Sequence, residues 1–151
     1  MNDIPEGELR IESENDIVAA RKVVRRTATA MGFGITDVTR IVTAASELSR
    51  NVYQYAHFGT MRWRFLNEEA GVGLELVFED SGPGISDIGE AMRAGFSTSR
   101  GLGLGLPGVK RLMDAMTVQS QVGRGTTVKV RKWLRRSYAA AITSGGDPPQ
   151  G

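Results

Sequence analysis

Two segments in the first half of the chain place apolar residues at helical spacing. In the first, Ser13 can act as an N-cap, apolar residues recur every three or four positions over residues 17–31, and Gly32 ends the pattern. In the second, the same spacing covers residues 38–56, and Thr36 is the candidate N-cap. The pattern therefore predicts two successive helices.

The rest of the apolar pattern is typical of paired strands. Five short runs alternate or are rich in β-branched residues, and two pairs of them are joined by short turns. These runs are residues 8–12, 60–66, 72–79, 117–121 and 126–133. Residues 106–115 predict a third helix, with Pro107 in its first turn, where proline is tolerated. The order predicts an α+β two-layer sandwich, with a mixed, mostly antiparallel sheet and the helices on one face.

The length of 151 residues suits one domain, which we place at residues 1–136. Residues 137–151 carry small residues, glycine and proline without an apolar period, and they are predicted to be a disordered tail. No apolar run approaches the roughly 20 residues of a membrane span, and the N-terminus lacks the apolar segment of a signal peptide. We therefore expect a cytoplasmic protein that does not contact membranes.

Composition excludes several classes of site. The chain has no cysteine and one histidine, which excludes thiol catalysis, cysteine-based zinc sites and histidine-rich metal sites. The net charge of +2 is uninformative, although basic residues crowd into residues 129–136. This concentration of basic residues suits either a nucleic-acid-binding surface or the solvent-exposed face of a strand. No recognition helix or interleaved aromatic residues accompany it, so a nucleic-acid partner is not expected.

Glycine is the unusual component. There are 19 glycines, and eight of them fall between Gly82 and Gly108. Gly101, Gly103 and Gly105 alternate with leucines immediately before the predicted third helix. Glycine lets the backbone approach a ligand closely, and free N–H groups in such a loop can bind phosphates. This favours a phosphate-binding loop, although the dinucleotide and Walker motifs are not met, because the required strand, acid and Lys-Ser/Thr pair are missing.

Two polar elements accompany the glycines. Asp80 comes at a strand end, before Gly82-Pro-Gly84, where it could serve turn chemistry or accept a hydrogen bond from a ligand amine. Glu47 and Asn51 are four residues apart on the second helix, so they share a face. They could be an ordinary helix surface, or a base and a magnesium ligand, since Mg²⁺ takes oxygen donors and keeps substrate phosphates.

Taken together and in order, four elements resemble the motifs of the Bergerat-type ATP-binding fold, the superfamily of DNA gyrase, Hsp90, histidine kinases and MutL. They are Glu47-x-x-x-Asn51, Asp80-x-Gly82-x-Gly84, Gly101-x-Gly103-x-Gly105 and Gly123-x-Gly125-Thr126. The longer stretches 45–53, 79–85 and 95–114 closely resemble the RsbT-like switch kinases of bacterial stressosomes. These are small serine/threonine protein kinases related to anti-sigma factors.

The resemblance implies a role for each site residue. Glu47 would be the general base for the incoming Ser or Thr hydroxyl, Asn51 would hold Mg²⁺, and Asp80 would accept the adenine amino hydrogen. Around the nucleotide it assigns Gly82 and Gly84 to the base pocket, Thr127 to the neighbourhood of the adenine, and Ser97, Thr98, Arg100, Gly101, Leu102, Gly103, Leu104 and Gly105 to a lid over the phosphates.

The resemblance also implies a function. The chain would be an ATP- and Mg²⁺-dependent kinase that phosphorylates a STAS-domain antagonist within a stressosome of STAS-domain scaffold proteins. When released, it would activate a PP2C-type phosphatase. The alternative is an anti-sigma factor that binds a sigma subunit directly, because the same ATP site would serve both. An autophosphorylating histidine kinase is not expected, because His57 is the only histidine and falls just past a helix end, where a surface or turn residue is expected.

Overall fold

The computed structural model describes residues 6–69, 71–88, 92 and 105–134. The strands are β1 (Gly7–Ile11), β2 (Gly59–Glu68), β3 (Gly71–Asp80), β4 (Ala115–Gln121) and β5 (Gly125–Trp133), and the helices are α1 (Glu14–Met31), α2 (Ile35–Asn51) and α3 (Leu106–Leu112). A π-helical turn, Val52–Ala56, continues α2. The five strands form one sheet in the order β1-β2-β3-β5-β4, and each neighbouring pair is antiparallel. None of the helices described is long and apolar enough to cross a membrane.

The predicted limits of α1 are confirmed, whereas the predicted cap of α2 is wrong. The Ser13 hydroxyl accepts a hydrogen bond from the Asp16 N–H at 3.3 Å and so caps α1. At the other end, Gly32 takes the left-handed conformation with φ 100°. The N-cap of α2 is Gly34, which makes no side-chain cap bond, and Thr36 lies inside the first turn.

The third helix is shorter than its sequence pattern predicts. It ends at Leu112 rather than at Ala115, because Met113 is already extended, with φ −107° and ψ 166°. The Asp114 N–H then donates to the Arg131 carbonyl at 3.0 Å, so the chain has joined the sheet. Ala115 is consequently the first residue of β4.

The helices cover one face of the sheet and enclose the core. Successive residues of a strand point to opposite faces, and on β3 the buried residues Leu74, Leu76 and Phe78 point towards the helices. Ile41 and Leu48 of α2 pack into the same cluster. Each such side chain contributes about 1.5–3 kcal/mol when it is fully buried. The α+β two-layer sandwich predicted from the sequence is confirmed, with the sheet pairings antiparallel throughout the described strands.

The opposite face of the sheet carries a buried carboxylate. The Glu75 side chain is 3% exposed. Its two oxygens accept hydrogen bonds from the Nε atoms of Arg64 at 2.7 Å and of Arg131 at 2.9 Å. Burial is the largest single influence and raises the pKa of Glu75, but the hydrogen bonds and charges of the two arginines together outweigh it. The pKa of this carboxyl is therefore held below its ordinary value.

This cluster should make the fold sensitive to acid. Because the folded pKa of Glu75 lies below the unfolded one, its stabilisation is present above the unfolded value and is lost as the pH falls through the folded pKa. We expect the free energy of unfolding, measured by urea denaturation, to fall more between about pH 6 and about pH 3 in the wild type than in Glu75→Gln. Parallel losses in the two proteins would show that Glu75 does not cause the acid sensitivity.

Lys132 belongs to the basic segment of the sequence, but its side chain turns inward and is 4% exposed. Its Nζ donates to the Leu112 carbonyl at 2.8 Å, and it lies 3.5 Å from Asp114 Oδ1 and 3.7 Å from Asp37 Oδ1. It thereby ties β5 to the last turn of α3 and to the first turn of α2. Since Arg131 is paired with Glu75, two cations of this segment are engaged within the fold.

Removing the Lys132 ammonium should be costly. We expect Lys132→Met to lower the free energy of unfolding by about 2–3 kcal/mol, because the Leu112 carbonyl and two nearby carboxylates would lose their shared donor. The matched control is Lys129→Met, three residues earlier on the other face of β5, which should change stability by less than about 0.5 kcal/mol. Equal losses in the two variants, measured by urea denaturation, would contradict a special role for Lys132.

Candidate functional site

The predicted base lies against the end of the glycine-rich segment. Glu47 and Asn51 occupy the last turns of α2, and Glu47 is half-buried. A Cβ atom placed on Gly105, the N-cap of α3, would be 2.7 Å from Glu47 Oε1. Gly105 also has φ 65°, a conformation that favours glycine. The close approach means that a larger residue at position 105 would displace the Glu47 carboxylate.

The π-helical turn brings the end of α2 to the loop after β3. A Cβ atom on Gly82 would lie 2.6 Å from the Cβ atom of Ala56, the last residue of that turn. Single π turns within helices are rare and frequently mark functional sites. The next residue, His57, is exposed and has φ 70°, which confirms its prediction as a surface or turn residue. The turn that follows Asn51 therefore contacts the loop that carries Gly82.

Asp80 is held at the end of β3 by two backbone groups. Its Oδ1 accepts a hydrogen bond from the Gly82 N–H at 2.8 Å, and its carboxylate also accepts one from the Thr126 N–H. Burial is the largest influence on the pKa of Asp80, and it raises that pKa. The two N–H bonds lower the pKa and the charge of Glu79 raises it, and the net result is a pKa above the ordinary value. An ionised carboxylate has about four acceptor positions, so turn bonding leaves capacity for a ligand amine.

The hairpin of β4 and β5 borders this carboxylate. Thr126 is the cross-strand neighbour of Asp80, and its Oγ1 lies 2.9 Å from the Ser120 hydroxyl. The Ile85 N–H donates to the same hydroxyl at 2.7 Å, which fixes the loop after β3 to β4. Gly84 in that loop has φ 80°, and its Cα faces the backbone carbonyl of residue 121 too closely for a side chain.

The structure does not bring Thr127 to Asp80 with the other site residues. Thr127 pairs with Glu79 on one side and with Gln119 on the other. Because directly paired residues share a face and successive residues alternate, Thr127 lies on the open face of the sheet. Thr126 occupies the position next to Asp80. Strand alternation could have identified Thr126 from the sequence, because Thr126 and Thr127 point to opposite faces of the strand. Thr126 is the residue that directly follows the glycine pair of the motif.

Most of the predicted lid lies outside the described residues. Gly105 is described, and the other lid residues, which are not, are Ser97, Thr98, Arg100, Gly101, Leu102, Gly103 and Leu104. Among the residues that the structure does describe, no cluster of three or more acidic or histidine side chains could hold a metal ion by itself. Mg²⁺ is commonly bound through one or two protein oxygens plus substrate phosphates. The Asn51 carboxamide is an oxygen donor of the type that this arrangement needs.

Comparison with known proteins is consistent with this geometry. Residues 11–132 match the family model of the histidine kinase-like ATPase domain. The chain is 51% identical to the serine/threonine-protein kinase RsbT of Bacillus subtilis, over 84% of this chain and 96% of RsbT. It is 33% identical to an anti-sigma F factor of Geobacillus sp., over 68% and 74% of the two chains. It is 29% identical to an anti-sigma F factor of Caldanaerobacter subterraneus, over 90% and 97%.

A solved structure shares the fold. It contains the RsbU and RsbW domains of Rv1364c from Mycobacterium tuberculosis and superposes with a TM-score of 0.59 at 16% sequence identity. The superposition covers 86% of this chain and 32% of that structure, so the chain spans about a third of its length. At this identity the likeness concerns the fold alone. The family match and the identity to RsbT are stronger, and they show that the chain belongs to the histidine kinase-like ATPase domain family, among its RsbT-like members.

Proposed function

We propose that the chain is an ATP-dependent protein serine/threonine kinase. The observation that carries the proposal is the contact between the Glu47 carboxylate and Gly105, because a carboxylate at the end of the glycine-rich segment suits a general base. Asp80 lies at the same end of the molecule, beside the turn that continues α2. The 51% identity to a protein named serine/threonine-protein kinase RsbT supports the same activity.

Glu47 acts as the general base in this proposal. It takes the proton from the acceptor Ser or Thr hydroxyl while the hydroxyl oxygen bonds to the γ-phosphorus of ATP. The bond from that phosphorus to the β,γ-bridging oxygen breaks, and ADP leaves. Such transfers depend mainly on positioning and charge stabilisation. Asn51 would hold Mg²⁺, which would neutralise charge on the phosphates when bound.

Asp80 selects the base of the nucleotide. Its remaining acceptor capacity suits the exocyclic amine of adenine. Gly82 and Gly84 are the base-pocket residues in this proposal. Each lies directly against protein atoms, Gly82 against Ala56 and Gly84 against the carbonyl of residue 121, so neither position admits a side chain. Thr126 lies next to the same carboxylate. The backbone N–H groups before Gly105 bind the phosphates, with Ser97, Thr98, Arg100, Gly101, Leu102, Gly103 and Leu104 as the lid.

The acceptor is a STAS-domain antagonist in a partner-switching pathway, with the stressosome as its scaffold. Once released, the kinase activates a downstream PP2C-type phosphatase in the cytoplasm. The RsbT-like sequence supports this assignment. The test is incubation with γ-labelled ATP and a purified STAS-domain protein. Acid-stable label on a Ser or Thr of that protein is expected, whereas no transfer, or acid-labile label on His57, would contradict the proposal.

An anti-sigma factor is the second candidate, and the similarity to anti-sigma F factors favours it. In that case the chain sequesters a sigma subunit by direct binding, and the ATP site regulates the complex. A pull-down from the native cell extract separates the candidates. Recovery of a sigma factor favours sequestration, and recovery of STAS-domain proteins favours the kinase of a partner switch.

A further inference from the structure

The C-terminal end of α3 is fixed to β5 by contacts that take no direct part in the proposed phosphate transfer. The Leu112 carbonyl is the last of the helix, so it has no N–H partner within α3, and it accepts a hydrogen bond from Lys132 Nζ at 2.8 Å. Asp114 follows, and its Oδ2 accepts a hydrogen bond from the Trp133 N–H at 2.8 Å. Its own N–H donates to the Arg131 carbonyl at 3.0 Å. The last turn of α3 is therefore held against the sheet.

The same ammonium group reaches the start of α2. Lys132 Nζ lies 3.7 Å from Oδ1 of Asp37, which is in the first turn of that helix, and 3.5 Å from Oδ1 of Asp114. An ammonium group has three donors, so it can serve the Leu112 carbonyl and both carboxylates together. The three side chains are largely buried, and solvent therefore screens their charges little. We call Lys132, Asp37, Asp114 and the Leu112 carbonyl the Lys132 clamp.

The clamp and the proposed base lie at opposite ends of the same pair of helices. The first turn of α2 meets the last turn of α3 at the clamp, whereas Glu47, near the end of α2, contacts Gly105 at the start of α3. The two helices are therefore antiparallel, and Leu106 and Val109 of α3 are buried in the same core as Leu48 of α2. With seven residues, α3 is only roughly 10 Å long. Because packed interiors transmit strain, a shift of its clamped end should reach Gly105.

We propose that Lys132 is a positioning residue for Glu47, which it orients through α3. The ammonium group fixes the last turn of the helix, the helix fixes Gly105, and Gly105 limits where the Glu47 carboxylate lies. This proposal rests on the proposed role of Glu47 as the base, and it adds the residue that sets the geometry of that base. Misplacement of a reacting group by about 1 Å can cost about 10²-fold in rate. A contribution of Lys132 to stability alone would leave the action of Glu47 unchanged.

The test is a double-mutant cycle on the full chain. It compares the wild type, Lys132→Met, Glu47→Gln and the protein with both substitutions, at a temperature where circular dichroism shows all four folded. The measurement is the single-turnover rate of transfer from saturating γ-labelled ATP to a purified STAS-domain protein. We expect Lys132→Met to lower the rate about tenfold or more in the wild type, but less than about twofold in the Glu47→Gln background. The difference is expected because a side chain that cannot take the proton loses nothing further when it is misplaced.

The control for lost stability is Leu66→Ala. Leu66 is 1% exposed and lies on the open face of the sheet, away from α3, because the strand neighbour of Met61 alternation places it opposite the core. Its truncation removes buried packing, so the protein is destabilised without any change to the clamp. We expect its transfer rate to match that of the wild type. If Lys132→Met does not fold, Asp114→Asn replaces it, because Asn keeps the side-chain size and removes the charge beside Lys132 Nζ; the same dependence on Glu47 is expected.

Two kinetic results would overturn the positioning role. One is an equal loss of rate from Lys132→Met in the presence and absence of the Glu47 carboxylate, and the other is a Leu66→Ala protein that is slowed as much as Lys132→Met. If the wild type transfers no phosphate, the kinase proposal fails, and the NMR amide signal of Gly105 decides the clamp separately. A shift of that signal in Lys132→Met but not in Leu66→Ala supports the clamp. An unchanged signal, or an equal shift in both variants, contradicts it.

Discussion

Replacement of Glu47 by Gln is expected to lower the rate of phosphate transfer about 10²- to 10⁴-fold, which is the usual contribution of a general base. Gln keeps the size of the side chain and its position against Gly105, but it cannot take the proton from the acceptor hydroxyl. The Kd for ATP should therefore change little. The measurement is the single-turnover rate with γ-labelled ATP and a STAS-domain acceptor, together with the Kd for ATP.

The control for this variant is Glu8→Gln. Glu8 is exposed on the edge strand β1, so this substitution makes the same chemical change away from the site. We expect its transfer rate to match that of the wild type. A Glu47→Gln protein that transfers phosphate as fast as the wild type would show that Glu47 is not the base.

The second large effect concerns the choice of nucleotide. We expect the wild type to bind ATP about 10- to 100-fold more tightly than purine riboside triphosphate, which lacks the amine that Asp80 would bind, since an unmet buried acceptor costs about 1–3 kcal/mol. Asp80→Asn should lose most of this preference, because its NH₂ group presents donors where the carboxylate presents an acceptor. Binding assays with both nucleotides measure the preference directly.

The pH dependence of binding gives a second readout for Asp80. Its pKa is raised above the ordinary value of 3.8, so on acidification the carboxylate is protonated earlier than an exposed Asp. Protonation removes acceptor capacity, and the preference for ATP over the analogue should therefore fall as the pH drops through the raised pKa. An Asp80→Asn protein that keeps the full preference, or a wild-type preference that does not change on acidification, would contradict the assignment.

The helices and strands could be predicted because their apolar spacing is strong and local. The boundary at α3 could not, since the hydrogen bond from Asp114 to Arg131 joins residues that are close only in the folded sheet. The assignment of Thr127 in place of Thr126 has a local cause, because a shift of one residue moves a side chain to the other face of a sheet and the alternation along β5 was not applied. Lys132 likewise faces the helices rather than solvent.

The candidate site shows the same division between local and long-range information. The spacing of Glu47 and Asn51 fixes their common helix face, and the sequence alone shows that Asp80 precedes Gly82. The contact between Glu47 and Gly105 joins two helices that are far apart in the chain, so no local pattern predicts it. The motif resemblance implied that these elements form one site, and their arrangement around the end of α2 is what the structure adds.

The most direct test of the central claim is a crystal structure of the chain with Mg²⁺ and a non-hydrolysable ATP analogue. We predict the adenine amino group in hydrogen-bond contact with the Asp80 carboxylate, and the terminal phosphate between Glu47 and the loop that ends at Gly105. A nucleotide bound elsewhere, or an adenine that does not contact Asp80, would contradict the assignment of this site to phosphate transfer from ATP.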